Sequence, residues 1–374
     1  MSNSIFSITL MPASEGDCLW IEYGDAASPN RVLFDMGRQS TYAHVKQRFE
    51  KLSPDQRKFE LLVISHIDRD HIEGALAFFA DPEPLVTFKE IWFNGYRHLA
   101  PADMESFSVI QGEALSGYLK DLGSAWNRQF NLGAVVCDKE ETLPVVQLAG
   151  GLKLTLVSPT RAKLDELEKE WAHECLKAGI VRPETFKADP AEDEAYGAPD
   201  INLLANEAFT TDTAVANGSS IAFIAEFEGV SILLAADAHP DVLIDSLGKL
   251  VAGTGAEKIR LDAVKVSHHG SSHNTSNELL ALIDCPKWLV STNGNYFKHP
   301  SPSTIARLIK MGNAREIVFN YRSYETAVWD IDAIKSQRNY TTLFPDDNQQ
   351  GEIKVELLPK SNVSPSRFDH DPDV

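Results

Sequence analysis

The feature that most constrains this chain is the apolar run at residues 61–65 (LLVIS), which leads directly into His66-Ile67-Asp68-Arg69-Asp70-His71. A near-continuous apolar run of this length is expected of a strand buried on both faces. Two imidazoles and two carboxylates follow within six residues. A strand end followed by a turn is a rigid mount from which such side chains can converge on one point. Imidazole and carboxylate together suit zinc, manganese or iron, whereas magnesium and calcium prefer oxygen alone. The competing reading is a polar loop whose Asp70 caps the helix expected over residues 72–80.

Two further apolar runs end in the same way. Residues 264–272 (VKVSHHGSS) place His268-His269-Gly270 after a strand, and residues 233–240 (LLAADAHP) place Asp237 after another. Three strands that each end in metal-type ligands are hard to explain as packing. A lone histidine is more often a core or surface residue, which is the reading for His44, His98, His173 and His370. The alternation of its strand gives Lys265 a structural or solvent role.

Around these motifs the chain alternates β-rich and helical stretches. Residues 4–10, 18–23 and 32–34 read as a small antiparallel meander, with turns at Gly16-Asp17 and Pro29-Asn30. Residues 41–57 are helix-compatible, a strand is expected around 91–96 and a helix near 112–130. Residues 151–159 alternate as a strand, and residues 164–178 carry apolar positions at helical spacing with a charged outer face. Weak periodicity marks residues 160–216 as an insertion, part helix and part loop. Strands return at 220–226, 230–235, 263–267 and 288–291, with helices at 241–251, 277–283 and 303–311, then a closing hairpin and a strand at 352–358. Two β-rich halves with helices outside each predict an α/β fold: a four-layer αββα sandwich forming a single domain over residues 1–360. Residues 361–374 read as a disordered tail.

Composition narrows the function classes. Hydrophobic residues make up 43% of the 374, so wholesale disorder is excluded. No run reaches the roughly 18 apolar residues that a spanning helix needs, and the N-terminus does not read as a secretory signal. A cytoplasmic protein without membrane contact is expected. Four cysteines without a paired spacing (Cys18, Cys137, Cys175 and Cys285) read as reduced thiols. A net charge of −19 argues against coating duplex nucleic acid by charge alone. It does not exclude a nuclease, because bound ions add local positive charge. No basic or aromatic stripe for single strands is evident, although residues 307–315 offer cations.

In combination these motifs resemble the metallo-β-lactamase superfamily, and more closely its ComEC-like branch, the nuclease-type domain of DNA-uptake systems. His66 to His71 match the branch's H-x-D-x-D-H, with Asp68 in place of a second histidine. Glu15-Gly16-Asp17-Cys18 is similar to its early G-x-G-D-A segment, and Leu33-Phe34-Asp35-Met36-Gly37 to its L-I-D-G-G. Asn217-Gly218-Ser219-Ser220 with residues 233–238 resembles N-x-x-S … L-L-T-G-D-A. Residues 266–271 resemble L-K-V-x-H-H-G-S, and residues 295–300 resemble N-x-Y-G-H-P. The matches run in order over about residues 5–310. Ala236 and Lys298 stand where the branch has glycine, and Asn217 and Ser219 lie where the superfamily's third-motif histidine is expected.

The resemblance implies one or two divalent ions, Zn2+ or Mn2+. One position takes Asp70, His71, Asp237 and His269, and a weaker one takes His66 and Asp68, with Asp237 bridging. The pattern leaves both His268 and His269 as ligand candidates, with His269 beside the glycine favoured. Asp35 supports a ligand imidazole, and Asp70 or Asp68 holds the proton of the nucleophile. His299 and Lys298 are candidates to neutralise or protonate the leaving group. Ser271, Asn295 and Lys298 are the expected substrate contacts. The activity implied is a metal-dependent phosphodiesterase, a nuclease on DNA or RNA that uses a metal-bound hydroxide. Two alternatives stand beside it: hydrolysis of a small phosphodiester, ester or lactone, and a partner-dependent or non-catalytic subunit of a multi-component system, such as a defence system.

Overall fold

Alternation in the first strands decides the architecture. The computed structural model describes residues 4–99, 114–138, 142–177, 199–349 and 351–358. Strands β1 (Ser4–Leu10), β2 (Leu19–Asp25) and β3 (Asn30–Phe34) form the expected antiparallel meander. Strands β4 (Leu61–Val63) and β5 (Ile91–Trp92) then add in parallel. Every second residue of this sheet (Phe6, Ile8, Leu10, Ile21, Phe34, Val63) enters one core. The intervening Trp20, Leu33 and Leu62 pack outward against helices α1 (Gln39–Glu50) and α2 (Arg69–Phe79) through Val45, Phe49 and Phe78. Both faces are therefore apolar, which is why β4 reads as a continuous run and not as an alternation.

The second sheet holds β6 (Val145–Gln147), β7 (Lys153–Ser158), β8 (Ala222–Phe227), β9 (Val230–Leu234), β10 (Ala263–Lys265), β11 (Lys287–Val290), β12 (Glu316–Phe319) and β13 (Thr341–Leu343), adjacent in chain order. Strand β14 (Ile353–Glu356) returns to the first sheet beside β1. Phe34 meets Phe223 edge-on with centroids 5.4 Å apart, and Phe6 meets Phe227 at 5.9 Å, so the sheets face each other across a shared core. On the other face, Leu233, Val264 and Trp288 pack with Leu243 and Leu280. Leu243 belongs to helix α4 (Pro240–Thr254), and α5 (Pro302–Lys310) connects β11 to β12. These are the four αββα layers expected.

Four differences from the sequence reading stand out. The expected closing hairpin is absent among the described residues, because β12 and β13 pair in parallel across the short helices Tyr324–Ala327 and Asp332–Arg338. Strand β6 was not expected, since its pattern of exposed, buried and exposed residues is too short to signal. The stretch at 91–96 is a strand only at Ile91–Trp92. The helix expected near 112–130 spans Ala114–Leu122, with residues 112–113 outside the described residues. The tail at 361–374, with His370, and residues 178–198 of the insertion also lie outside them. Within the insertion, Leu164, Leu167 and Trp171 of helix α3 (Arg161–Lys177) join the outer core of the first half, whereas Ile201 and Ala205 join the core shared by the two sheets. Cys18, Cys137 and Cys285 are buried free thiols, and no described helix is long and apolar enough to cross a membrane.

At one edge the two halves are tied by buried polar bonds. Ile221 N–H donates to Ser65 O (2.9 Å), Asn293 N–H to Ser14 O (2.9 Å) and the Ser291 hydroxyl to Gly16 O (2.8 Å). Lys265 on β10 is fully buried, and its Nζ lies 2.7 Å from Asp17 Oδ2 and 3.0 Å from Val266 O. Burial alone would raise the Asp17 carboxyl, but Lys265, with help from His269, holds it well below the usual range. This folded value lies under the unfolded value of about 3.9, so the pair's contribution is complete above that pH and is lost as pH falls toward the folded value. Removing one partner of a buried pair costs about 3–5 kcal/mol. Lys265→Met is therefore expected to lose that much stability in denaturant unfolding, and adding Asp17→Asn should return part of it.

Candidate metal centre

Strands β3 and β4 run parallel, as do β9, β10 and β11, and the carboxyl ends of all five meet at this same edge. Asp35 follows β3 in a left-handed conformation (φ +56°) that turns its carboxylate under the ligand loop. Its Oδ1 accepts from Ser65 N–H (2.7 Å), and its Oδ2 accepts from the Ser65 hydroxyl (2.7 Å) and lies 2.8 Å from His71 Nδ1. The Ser65 hydroxyl is also 2.9 Å from His66 Nδ1. One carboxylate thus orients both imidazoles and leaves both Nε2 atoms facing inward. Asp68 occupies the N-cap of α2 without a side-chain cap bond, and its Oδ2 is 3.8 Å from His66 Nε2. Asp70 does not cap either: it turns inward, with Oδ2 3.3 Å from His269 Nε2 and 3.8 Å from His71 Nε2.

The second half supplies the opposite wall. Asp237 follows β9 and is almost fully buried, with Oδ2 3.4 Å from His71 Nε2, 3.8 Å from His66 Nε2 and 3.7 Å from His268 Nε2. Its Oδ1 is 3.7 Å from His269 Nε2. His268 and His269 are consecutive left-handed residues (φ +49° and +53°), and this double kink turns both rings toward Asp237. Both histidines therefore face the centre. His269 Nδ1 is fixed by Ser291 O at 2.9 Å, and His268 Nδ1 lies 2.9 Å from Asn274 Oδ1. Ala236 and Lys298, which replace glycines of the resembled motifs, have φ +45° and +55°. A side chain in that region costs roughly 1 kcal/mol, so each site carries a small strain.

Buried polar atoms are almost always partnered. Here His66 Nε2 and Asp237 Oδ1 are buried with no hydrogen-bond partner, and both point into the space between the ligand candidates. Ligand atoms of His66, His71 and Asp237 lie within 4.8 Å of one another, as do those of Asp70, His71 and His269 and those of Asp17, Asp237 and His269. Mixed imidazole and carboxylate donors with orphaned inward atoms fit a divalent transition-metal ion.

The electrostatics agree. Burial would lower His71, but Asp237, Asp35 and Asp70 outweigh it and hold the imidazole well above its usual value. The same competition, led by Asp237 and Asp17, pushes His269 up to about 10. His66 falls to about 3 through burial and the charge of His71. Asp237 stays far below the carboxylate range despite burial, because His71, His268 and His269 surround it. Protons on imidazoles thus balance the carboxylates where cations would otherwise do so, and ion binding must release them.

The remaining candidates are more scattered. Ser271 is buried, with its hydroxyl accepting from His273 N–H (3.3 Å) and its N–H donating to His268 O (2.8 Å), so it braces the loop. Asn295 and Lys298 are exposed at the rim, and Lys298 Nζ is 3.9 Å from Glu325 Oε1. The His299 ring is 5.6 Å from that of His268 and 5.8 Å from that of Phe297, and its Nδ1 is buried and unpartnered. Burial and the charges of His268 and His269 lower it to about 3. His44 and His173 are exposed, and His98 packs edge-on to Trp126, away from the centre. Sequence reasoning did not assign roles to Asp17, Asp212 or Asn274. A lysine inside an apolar strand was the available signal for Asp17; Asp212 lies in a segment without periodicity and offered none.

No protein-family model matches this chain, and no curated protein sequence matches it. Among solved structures it is similar to CmlA, a diiron beta-hydroxylase from Streptomyces venezuelae, at 11% identity and TM-score 0.41; the alignment covers 96% of this chain and 55% of that one. It is similar to Tm1679, a metal-dependent hydrolase of the beta-lactamase superfamily, at 10% identity and TM-score 0.39, covering 94% and 98%. It is also similar to Zn(2+)-bound PqqB from Methylobacterium extorquens, at 10% identity and TM-score 0.39, covering 94% and 100%. The chain spans about half the length of CmlA.

A tight backbone contact sets the position of Asp70. Asp17 N–H donates to Asp70 O at 3.2 Å, and a Cβ on Gly16 would stand 1.8 Å from that same oxygen. Gly16→Ala is expected to push the start of α2 outward, with about 1–3 kcal/mol lost to overpacking and a matching loss of metal retention. Thermal unfolding and metal analysis of the purified variant check both.

Proposed function

We propose that this chain is a metal-dependent hydrolase of the metallo-β-lactamase superfamily, ComEC-like in its motifs, and that it cleaves phosphodiester bonds in nucleic acid. The observation that carries this reading is Asp237, whose two oxygens face different imidazoles, Oδ2 toward His66 and His71 and Oδ1 toward His269. One shared carboxylate between two clusters is what a two-ion site requires. Asp70, His71 and His269 would hold one ion, and His66 and Asp68 the other, with Asp237 common to both. Divalent ions in such a site supply Lewis acidity toward a phosphoryl oxygen and activate water near neutral pH.

The protein's own groups do the rest. Asp35 fixes the His71 ring through Nδ1, and Ser65 fixes His66. Asp68, with its side chain 24% exposed, is the carboxylate open enough to accept a proton from an attacking water. His299, whose buried Nδ1 has no hydrogen-bond partner, would orient a leaving oxygen. Tyr296 and Phe297 are exposed at the rim, and Phe297 stacks on His299, so an aromatic shelf suited to an unpaired base adjoins the centre. Sequence alone did not reveal that shelf.

A second reading, a small phosphodiester, ester or lactone as substrate, is favoured by the surface charge. Arg38 and Arg69, the cations next to the ligand loop, are engaged by Glu15 and Glu73. With a net charge of −19, little remains to draw in a long polyanion. The test is a panel of single-stranded DNA, RNA, dinucleotides and simple esters, with Mn2+ or Zn2+ added. Cleavage of polynucleotides that falls to background in Asp70→Ala/His71→Ala supports the first reading, and activity on small substrates alone supports the second. Nuclease activity that survives in the double variant overturns the proposal.

A further inference from the structure

We propose that Asp212 is a positioning residue that locks His268 onto the His66 side of the metal centre, so that the insertion completes the site instead of merely covering it. The inference rests on the metal-centre reading above. Asp212 Oδ2 lies 3.2 Å from His268 Nδ1 and accepts from Asn217 Nδ2 (2.8 Å) and Asn274 Nδ2 (3.0 Å). Its Oδ1 accepts from Ala214 N–H at 2.9 Å. His268 Nδ1 faces two acceptors, Asp212 Oδ2 at 3.2 Å and Asn274 Oδ1 at 2.9 Å, while the Asn217 amide nitrogen, 3.3 Å away, donates at shorter range to Asp212 Oδ2; the two acceptors assign the hydrogen to Nδ1 and turn the Nε2 lone pair toward Asp237.

The consequence is a balanced centre. The reading above gives His71 and His269 to one ion and leaves the other with His66 as its one imidazole, Asn217 standing where the resemblance implies a further histidine; His66, His71 and His268 all face Asp237 Oδ2. His268 Nε2, 3.7 Å from Asp237 Oδ2, supplies that missing imidazole, and Asn217 serves instead to hold the carboxylate behind it.

The segment that carries Asp212 is itself pinned. Asp212 N–H donates to His273 O (3.0 Å), and the Thr210 hydroxyl is 2.9 Å from His273 Nδ1. Buried Arg307 on α5 spans the same seam, donating to Glu207 O (3.1 Å), Ser272 O (3.1 Å) and Thr275 O (3.2 Å). Three chain segments are therefore clamped together so that the carboxylate arrives behind His268 already oriented, as a group that tunes a ligand must.

The test is metal titration of the full chain, with Mn2+ stoichiometry by elemental analysis and the visible spectrum of the Co2+-loaded protein. Wild type should take up two ions. Asp212→Asn and His268→Ala should each weaken the same one of the two by ~10–100-fold, with the same change in the Co2+ spectrum. The double variant should lose no more than either single one. Metal-free Asp212→Asn should lose some stability, because Asn217 and Asn274 lose a charged acceptor, but the other ion should bind with wild-type affinity, which a purely structural role would not allow. Two ions bound at wild-type affinity by Asp212→Asn would overturn the inference and leave the metal centre standing. Wild-type protein that binds no ion would overturn both.

Discussion

Four carboxylates, Asp17, Asp35, Asp70 and Asp237, are gathered at one edge between two apolar sheets, and the fold is organised around making that concentration of charge tolerable. An unpaired ionised group in such surroundings is prohibitively expensive. Each carboxylate accordingly has an assigned counterpart: Lys265 for Asp17, His71 and Ser65 for Asp35, and His269 for Asp70. Asp17 and Asp237 each keep a buried Oδ1 without a hydrogen bond, and Asp237 is the one between the imidazole sets. The neutralising groups come from the opposite half of the chain in two of these cases. Charge pairing and sheet packing therefore enforce each other, because neither sheet can carry its own acidic edge alone.

Much of this was legible in residue order because strands that end in ligands leave a local signature. Residues 61–71 announce a buried strand, a turn and a helix start, and the structure has all three. The runs before Asp237 and before His268-His269 were equally plain. What stayed hidden is non-local. The hairpin expectation assumed that strands close in sequence pair antiparallel, yet short helices let β12 and β13 run parallel. The two adjacent histidines looked like alternatives because an ordinary backbone would separate their rings; two successive left-handed residues remove that conflict. Asp212 was silent because its meaning lies wholly in what it meets, not in its neighbours in sequence.

The approach to the centre is mixed in character. On one flank, Arg38 and Arg69 are tied to Glu15 and Glu73, so the basic groups by the ligand loop already have partners. On the other flank, exposed Tyr296 and Phe297 continue from His299 toward solvent. Recognition through ring faces tolerates an acidic protein far better than recognition through phosphate charge does, since stacking carries no long-range penalty.

The Asp17–Lys265 contact joins positions 248 residues apart. A chain emerging from the ribosome displays the whole ligand loop long before the amine that neutralises Asp17 exists, and before His269 has been made. The first half alone then holds the Asp17 acid without its counterion. Closure of this edge is in this sense a late event in the life of the molecule, because a product cut short before residue 265 lacks the amine that neutralises Asp17.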